Sequence, residues 1–166
     1  KVGIAAKTDT YKVFTNFAEK RIGANFEKKI ISRQAAPIPL FKPDVKVQKE
    51  NIYLVGDAAT TVKATTLGGI NQSIIGAKAL ADSIINKKNY QKEIRKKLWK
   101  DLWIALQMRR VMNKFSDKDY NTLIRYFQNE KLKRILNEVE RDYPTKYAMK
   151  MLMAEPRLLA FMRFLV

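Results

Sequence analysis

The chain has 166 residues, 46% of them hydrophobic, and 33 lysines and arginines against 16 acids give a net charge of +17. That length and apolar content exclude a disordered segment and suffice for one domain with its own core, or for a piece of something larger. The absence of cysteine and histidine excludes disulfides, thiol nucleophiles, imidazole bases and the usual zinc sites, so no metal site is expected.

The first six residues, "KVGIAA", alternate with Val2 and Ile4 on one side and predict a strand. Thr8 or Asp9 then caps a helix whose apolar stripe is Val13, Phe14, Phe17, Ala18 and Ile22, and Gly23 stops it. "FEKKIISRQAAPIPL" predicts a strand that turns irregular at Pro37 and Pro39. "KPDVKVQKE" reads as a polar connection, and "NIYLVGD" as a short buried strand stopping at Gly56. A helix follows from Gly68 to Ile85, with Ile70, Ile74, Ala77, Ala81 and Ile84 or Ile85 on its apolar face. Beyond Lys87 nearly everything predicts helix. Ile94, Leu98, Leu102, Ala105, Met108 and Met112 recur at helical spacing, and Ser116 with Asp119 forms a capping-box pattern with aspartate in place of glutamate. The change of character near Lys87 predicts a boundary between residues 1–87 and a helical region, 88–166.

The positive charge suits polyanions, whether nucleic acid or an acidic membrane surface. The basic residues are scattered through both halves, and no helix-turn-helix, zinc or RNP pattern accompanies them, so nucleic acid is not the expected partner. No basic-then-apolar leader opens the chain, and no apolar run reaches the ~18 residues of a spanning helix. The closing segment "MLMAEPRLLAFMRFLV" is apolar with Arg157 and Arg163 set into it; it either lies on a membrane with its arginines near phosphates or packs back on the protein.

The stretch "VGDAATTVKATTLGGINQ" carries the chemistry. A carboxylate at the mouth of a buried strand, Asp57, is costly to desolvate unless it is satisfied, and polyol or ribose-like hydroxyls would do so. The competing reading is a helix cap or a turn-forming Asx residue. Gly68 and Gly69 at a helix start let a ligand approach the backbone, where unpaired first-turn N–H groups favour an anion or an electron-rich carbonyl. Alone, that pair also fits a simple loop–helix junction.

Taken together, strand, Gly-Asp-Ala-Ala, bend, Gly-Gly-Ile and amphipathic helix with a small residue at Gly76 resemble the second flavin motif of FAD-dependent oxidoreductases of the p-hydroxybenzoate hydroxylase fold. "GDAATTVKATTLGGI" is most similar to the geranylgeranyl reductase branch, in particular the archaeal digeranylgeranylglycerophospholipid reductases. The match runs through Gly56, Asp57, Ala58, Ala59, Val62 to Thr66, Gly68, Gly69 and Ile70. It departs at Leu67, where the family usually has glycine; leucine narrows the approach to the backbone and forces a φ that glycine takes freely. "KVGIAA" is similar to the tail of the family's substrate motif, with Ala5 in place of a glycine, and "AAPIPL" to its pre-flavin strand.

The resemblance implies an α+β portion of an α/β FAD-binding fold: a few strands and the flavin-motif helix (motif 52–85), then an all-helical region. None of the six glycines makes a G-x-G-x-x-G, so the ADP-binding half is expected upstream and the chain is expected to be the C-terminal portion of a longer polypeptide. The implied cofactor is FAD, with Gly56, Asp57, Ala58, Gly68, Gly69, Ile70 and Asn71 contacting it: Asp57 on a ribityl hydroxyl, the glycine-pair and helix-start N–H groups on the pyrimidine edge. The implied reaction is hydride transfer from reduced flavin to carbon–carbon double bonds of a polyprenyl lipid, with NAD(P)H or ferredoxin as electron donor. The implied location is the cytoplasm or the inner face of the membrane. Lys63, the one basic side chain inside the motif, is a weak candidate proton donor, against a solvated bend lysine. The alternatives are a flavin monooxygenase or halogenase of the same fold, or a non-enzymatic basic helical module.

Overall fold

The computed structural model describes residues 1–140 and 142–165. Lys1–Pro37 and Ile38–Val166 form two compact units. In the first, α1 (Thr10–Ile22) begins after Asp9, whose side chain makes no capping bond, and ends at Gly23 with φ 106°. Ala18 is its one buried residue, and Phe14 meets Phe26 edge-on at 6.2 Å. The expected strand at "KVGIAA" is not formed. Its N–H and C=O groups need a neighbouring strand, and among the described residues none pairs with it. The expected strand from Phe26 is likewise replaced by a 3-10 turn, Phe26–Lys29, and irregular chain. Proline at positions 37 and 39 removes the donors that a ladder would use there.

The second unit is mostly helical and carries the only sheet among the described residues, an antiparallel pair of β1 (Gln48–Lys49) and β2 (Ile52–Tyr53). Its register sets Gln48 against Tyr53 and Lys49 against Ile52, with Glu50 left-handed in the turn (φ 51°). The chain is thus α+β. β2 runs into a 3-10 turn, Gly56–Ala59, and α2 (Ile70–Ile85) follows. α3 (Tyr90–Ile94) passes through a π-helical turn, Arg95–Trp99, into α4 (Lys100–Met112). Steps of four residues from Ile94 to Leu98 to Leu102 overshoot a 3.6-residue turn by ~40° each; the wider π turn takes up that drift, and all three side chains stay buried. Then come α5 (Asp117–Phe127), α6 (Glu130–Glu138), α7 (Pro144–Ala154) and a 3-10 segment, Pro156–Leu165. The capping box of α5 forms as read, with Ser116 N donating to Asp119 Oδ2 at 3.0 Å and Asp119 N to Ser116 Oγ at 3.3 Å.

Two cores hold this unit together. The first joins Phe41, Val47, Ala59, Ala79, Tyr90, Ile94, Leu98 and Leu102 and sits behind the Gly-Asp-Ala-Ala turn. The second joins Leu132, Met151, Leu158 and Phe161. The closing segment packs back through Leu158 and Phe161, while Arg157 pairs with Glu155 and Arg163 with Asp119. Among the described residues no helix is long and apolar enough to cross a membrane.

The face of α2 differs from expectation. Ile70, Ile74 and Ile84 are 78%, 62% and 58% exposed, and Ala77 and Ala81 are exposed with them. The buried face is Gln72, Gly76, Ala79 and Ser83. Small residues win because α2 lies close on α3: a Cβ on Gly76 would stand 3.4 Å from Ile94 Cδ1 and 3.8 Å from the Tyr90 hydroxyl. Larger side chains would hold the helices apart.

Candidate functional site

The strand, turn, bend and helix start form one closed unit. Leu54 N donates to Val47 O, and the buried Tyr90 hydroxyl donates to Leu54 O at 2.9 Å, fixing the end of the strand. Gly56 takes φ 63°, a conformation that favours glycine, and a Cβ there would also crowd Ser73 Oγ at 3.1 Å. Thr61 Oγ1 donates to Gly56 O at 3.1 Å and ties the turn shut. The bend is anchored to the chain ahead of it by an isolated parallel bridge between Leu40 and Val62. Lys63 closes the far side with two backbone bonds, Lys63 N to Gly68 O and Leu67 N to Lys63 O, both 3.0 Å. Leu67 is left-handed, φ 58°, which is the conformation expected where the related motif has glycine. Gly69 caps α2, its carbonyl accepting from Ser73 N at 2.8 Å and Ser73 Oγ at 2.7 Å.

An open cleft of about 420 Å³ lies over this unit, lined by Ile38, Asp57, Val62, Leu67, Gly69, Ile70, Ser73 and Ile74. Its walls are mostly apolar. Asp57 is exposed at the rim of this cleft, and among the described residues its carboxylate makes no hydrogen bond or ion pair, as a helix cap or an Asx turn would. A Cβ on Gly69 would sit 3.1 Å from Val62 Cγ2 and 3.4 Å from Asp57 Oδ1, so any side chain there would crowd both the bend and the acid. The N–H groups of the first turn of α2 have no intrahelical acceptor and bring partial positive charge to this edge.

Of the residues singled out from the sequence, Asp57, Gly69 and Ile70 line the cleft. Gly56 is buried behind Ser73, Ala58 is exposed beside Asp57, and Gly68 lies against Lys63. Asn71 is turned the other way, its amide donating to Asp142. Lys63 is no solvated bend lysine. It is buried, and its ammonium pairs with the same Asp142 carboxylate. Ile38, Ser73 and Asp142 escaped the sequence reading. Ser73 is one helical turn beyond Gly69 and was findable there, whereas Asp142 stands 79 residues from Lys63 in an unmarked turn. The aromatic residues of the helical region are largely core: Trp99 packs edge-on against Phe41 at 5.0 Å, and Phe115 packs against Phe161 at 4.8 Å.

No protein-family model matches the chain, and no solved structure matches it. Curated relatives do match. The chain is 26% identical over 132 residues to digeranylgeranylglycerophospholipid reductase 2 of Methanothermobacter thermautotrophicus, covering 70% of this chain and 34% of that protein. It is 25% identical over 140 residues to the reductase 2 of Methanopyrus kandleri, covering 78% and 35%. Digeranylgeranylglycerophospholipid reductase of Methanococcus vannielii is 28% identical over 136 residues, covering 77% and 34%. The chain spans about a third of the length of the curated relatives it matches, and its similarity to these digeranylgeranylglycerophospholipid reductases extends over 70–78% of its own length.

Proposed function

We propose that this chain supplies the flavin-edge part of an FAD-dependent reductase acting on the carbon–carbon double bonds of geranylgeranyl chains in membrane lipids. The observation that carries the proposal is the exposed Asp57 carboxylate, without a protein partner among the described residues, standing beside Gly69 at the rim of a mostly apolar cleft where α2 begins. A glycine-lined edge, an acid without a protein partner and first-turn N–H groups are the donors and acceptors that a ribityl chain and a pyrimidine edge require. The cleft suits the flavin end of the cofactor. The ADP end needs a phosphate-binding loop that these residues do not contain. The names of the relatives support the lipid substrate.

In this reading Asp57 accepts from a ribityl hydroxyl, and the N–H groups of Gly68, Gly69, Ile70 and Asn71 face the pyrimidine edge, with Gly56 and Ala58 holding the turn. When bound and reduced, FAD would supply the hydride that adds to one carbon of the double bond, with a proton from water or a nearby donor completing the addition at the other. The helix start stabilises negative charge at the pyrimidine edge and so favours the reduced cofactor. Lys63 lies beside Gly68 and is held there by Asp142. Residues 1–87 then belong with the FAD-binding domain and 88–166 with the helical region. Exposed Leu159, Met162 and Leu165 amid the basic charge suit contact with an anionic membrane surface.

The test is an FAD titration of the full-length protein followed by visible spectroscopy, with Gly69→Val beside it. A yellow, saturable complex whose affinity falls at least tenfold in Gly69→Val is expected, since valine has no room between Val62 and Asp57. The chemically reduced complex should then add hydrogen across the double bonds of a geranylgeranylated glycerophospholipid, read by mass. A folded protein that never takes up flavin overturns the proposal.

A further inference from the structure

We infer that the closing segment, Pro156–Leu165, docks the protein on an anionic lipid bilayer through one row of its side chains, Leu159, Met162 and Leu165. The inference rests on the membrane contact in the reading above and gives that contact a surface and an orientation. In a 3-10 helix three residues complete a turn, so side chains three apart stand one above another. The ten residues of this segment therefore form three straight rows about 20 Å long. Leu158, Phe161 and Phe164 turn inward onto the second core, with the rings of Phe161 and Phe164 at 4.8 and 5.2 Å from that of Phe115. Arg157, Ala160 and Arg163 turn toward α5. Arg157 lies over the Tyr126 ring at 4.6 Å while donating twice to Glu155, and Arg163 donates to Asp119 Oδ1 at 2.9 Å. These two rows fix the roll of the segment. The third row is left outward, with Leu159, Met162 and Leu165 at 48%, 51% and 45% exposure. In an α-helix the same three residues would step apart by ~60° each time; the 3-10 form keeps them in line.

Size and charge select the partner. Three half-exposed side chains fall well short of the ~800 Å² per partner that a stable protein interface buries. A bilayer asks for less, because a few inserted apolar side chains and a positive field hold a segment at its surface. The segment carries two arginines and no acid, in a chain of net charge +17. Both arginine side chains remain 65% exposed although paired. The same net charge opposes a meeting of two copies at this row.

The test is flotation of the full-length protein with vesicles, either phosphatidylcholine alone or phosphatidylcholine with an equal part of phosphatidylglycerol. Wild type is compared with Leu159→Ser/Met162→Ser/Leu165→Ser and, as a control on another exposed apolar face, with Ile84→Ser/Ile85→Ser. Wild type should bind the anionic vesicles at least about fivefold more tightly than the neutral ones. The triple variant should lose at least about fivefold on the anionic vesicles, and the control clearly less. A smaller loss in the triple variant, a wild type without that preference, or an equal loss in the control overturns the inference. A triple variant altered only in oligomeric state overturns it too and gives the row to a second copy. If the triple variant does not fold, Met162→Trp decides: brominated lipid in the anionic vesicles should quench its fluorescence, and no quenching beyond that of wild type overturns the inference. An FAD titration of the same protein separates the two readings. Flavin uptake without docking removes the row alone, whereas docking through the row without flavin uptake removes the flavin reading alone.

Discussion

Replacing Tyr90 with phenylalanine takes one oxygen out of the core behind the Gly-Asp-Ala-Ala turn. Tyr90 is fully buried, its ring meets Tyr53 edge-on at 6.0 Å, and its hydroxyl donates to the Leu54 carbonyl at 2.9 Å. Phenylalanine keeps the ring and its packing, so the cavity cost is small. The hydrogen bond is worth about 1 kcal/mol, and the carbonyl left without its donor brings the total to about 1–2 kcal/mol. With a urea slope of about 2 kcal/mol/M, the unfolding midpoint should fall by about 0.5–1 M. Tryptophan fluorescence is a suitable probe, because Trp99 packs on the same core through Phe41. A second readout has a definite sign. Burial pushes the Tyr90 hydroxyl from 10.0 up to about 12. Between those values the unfolded chain gives up this proton and the folded chain keeps it, so the unfolded state binds fewer protons and stability falls as pH rises. Below pH 10 the group contributes no slope, and Tyr90→Phe should lose stability less steeply than wild type between pH 10 and 12. An unchanged urea midpoint, together with an unchanged alkaline slope, would refute the assignment of this hydroxyl as the tie holding the strand end.

Substitutions at two further positions address packing and charge. Gly76→Ala places a methyl at 3.4 Å from Ile94 Cδ1 and 3.9 Å from Val55 Cγ1, which is ordinary contact. Alanine's better helix propensity should then stabilise the protein by about 0.5–1 kcal/mol in thermal melts, whereas Gly76→Val should cost about 1–3 kcal/mol; a destabilising alanine would show that α2 and α3 have no slack at all. Glu155 is buried and accepts from Arg157 Nε at 2.5 Å, Arg157 Nη2 at 2.7 Å and Asn129 Nδ2 at 3.3 Å. The Arg157 bonds chiefly hold its carboxyl at about 2, below the ordinary 4.5. Its contribution is therefore complete above pH 4.5 and is lost as pH falls toward 2, so melts of Glu155→Gln should show a flatter acid limb over that window; a limb as steep as wild type would contradict the pairing.

Local chemistry made much of the site legible. Gly-Asp after an apolar run marked the turn, the glycine pair marked the start of α2 to within two residues, and the leucine standing where the family has glycine marked a position whose φ glycine takes freely, which is left-handed in the structure. The capping box at Ser116 formed from its own four residues. What failed depended on neighbours remote in sequence. "KVGIAA" has the alternation of a strand but no partner to bond among the described residues. The face of α2 was misread because isoleucines dominate any hydrophobic pattern, while close packing selected Gly76, Ala79 and Ser83, which such a pattern ranks low. Asp142 carries no local signal, since its role exists only once the helical part folds back onto Lys63.

The isoleucine face of α2 has a consequence for how copies of this chain should behave together. Ile70, Ile74 and Ile84 form an apolar ribbon on a chain carrying +17 charges. At low ionic strength, mutual repulsion keeps such molecules apart. Salt shortens the reach of that repulsion from about 30 Å at 0.01 M to about 3 Å at 1 M, and leaves the apolar attraction in place. Self-association should therefore strengthen as salt is added, the reverse of the salt response of a protein held to a polyanion, and light scattering across a sodium chloride series separates the two behaviours in a single experiment.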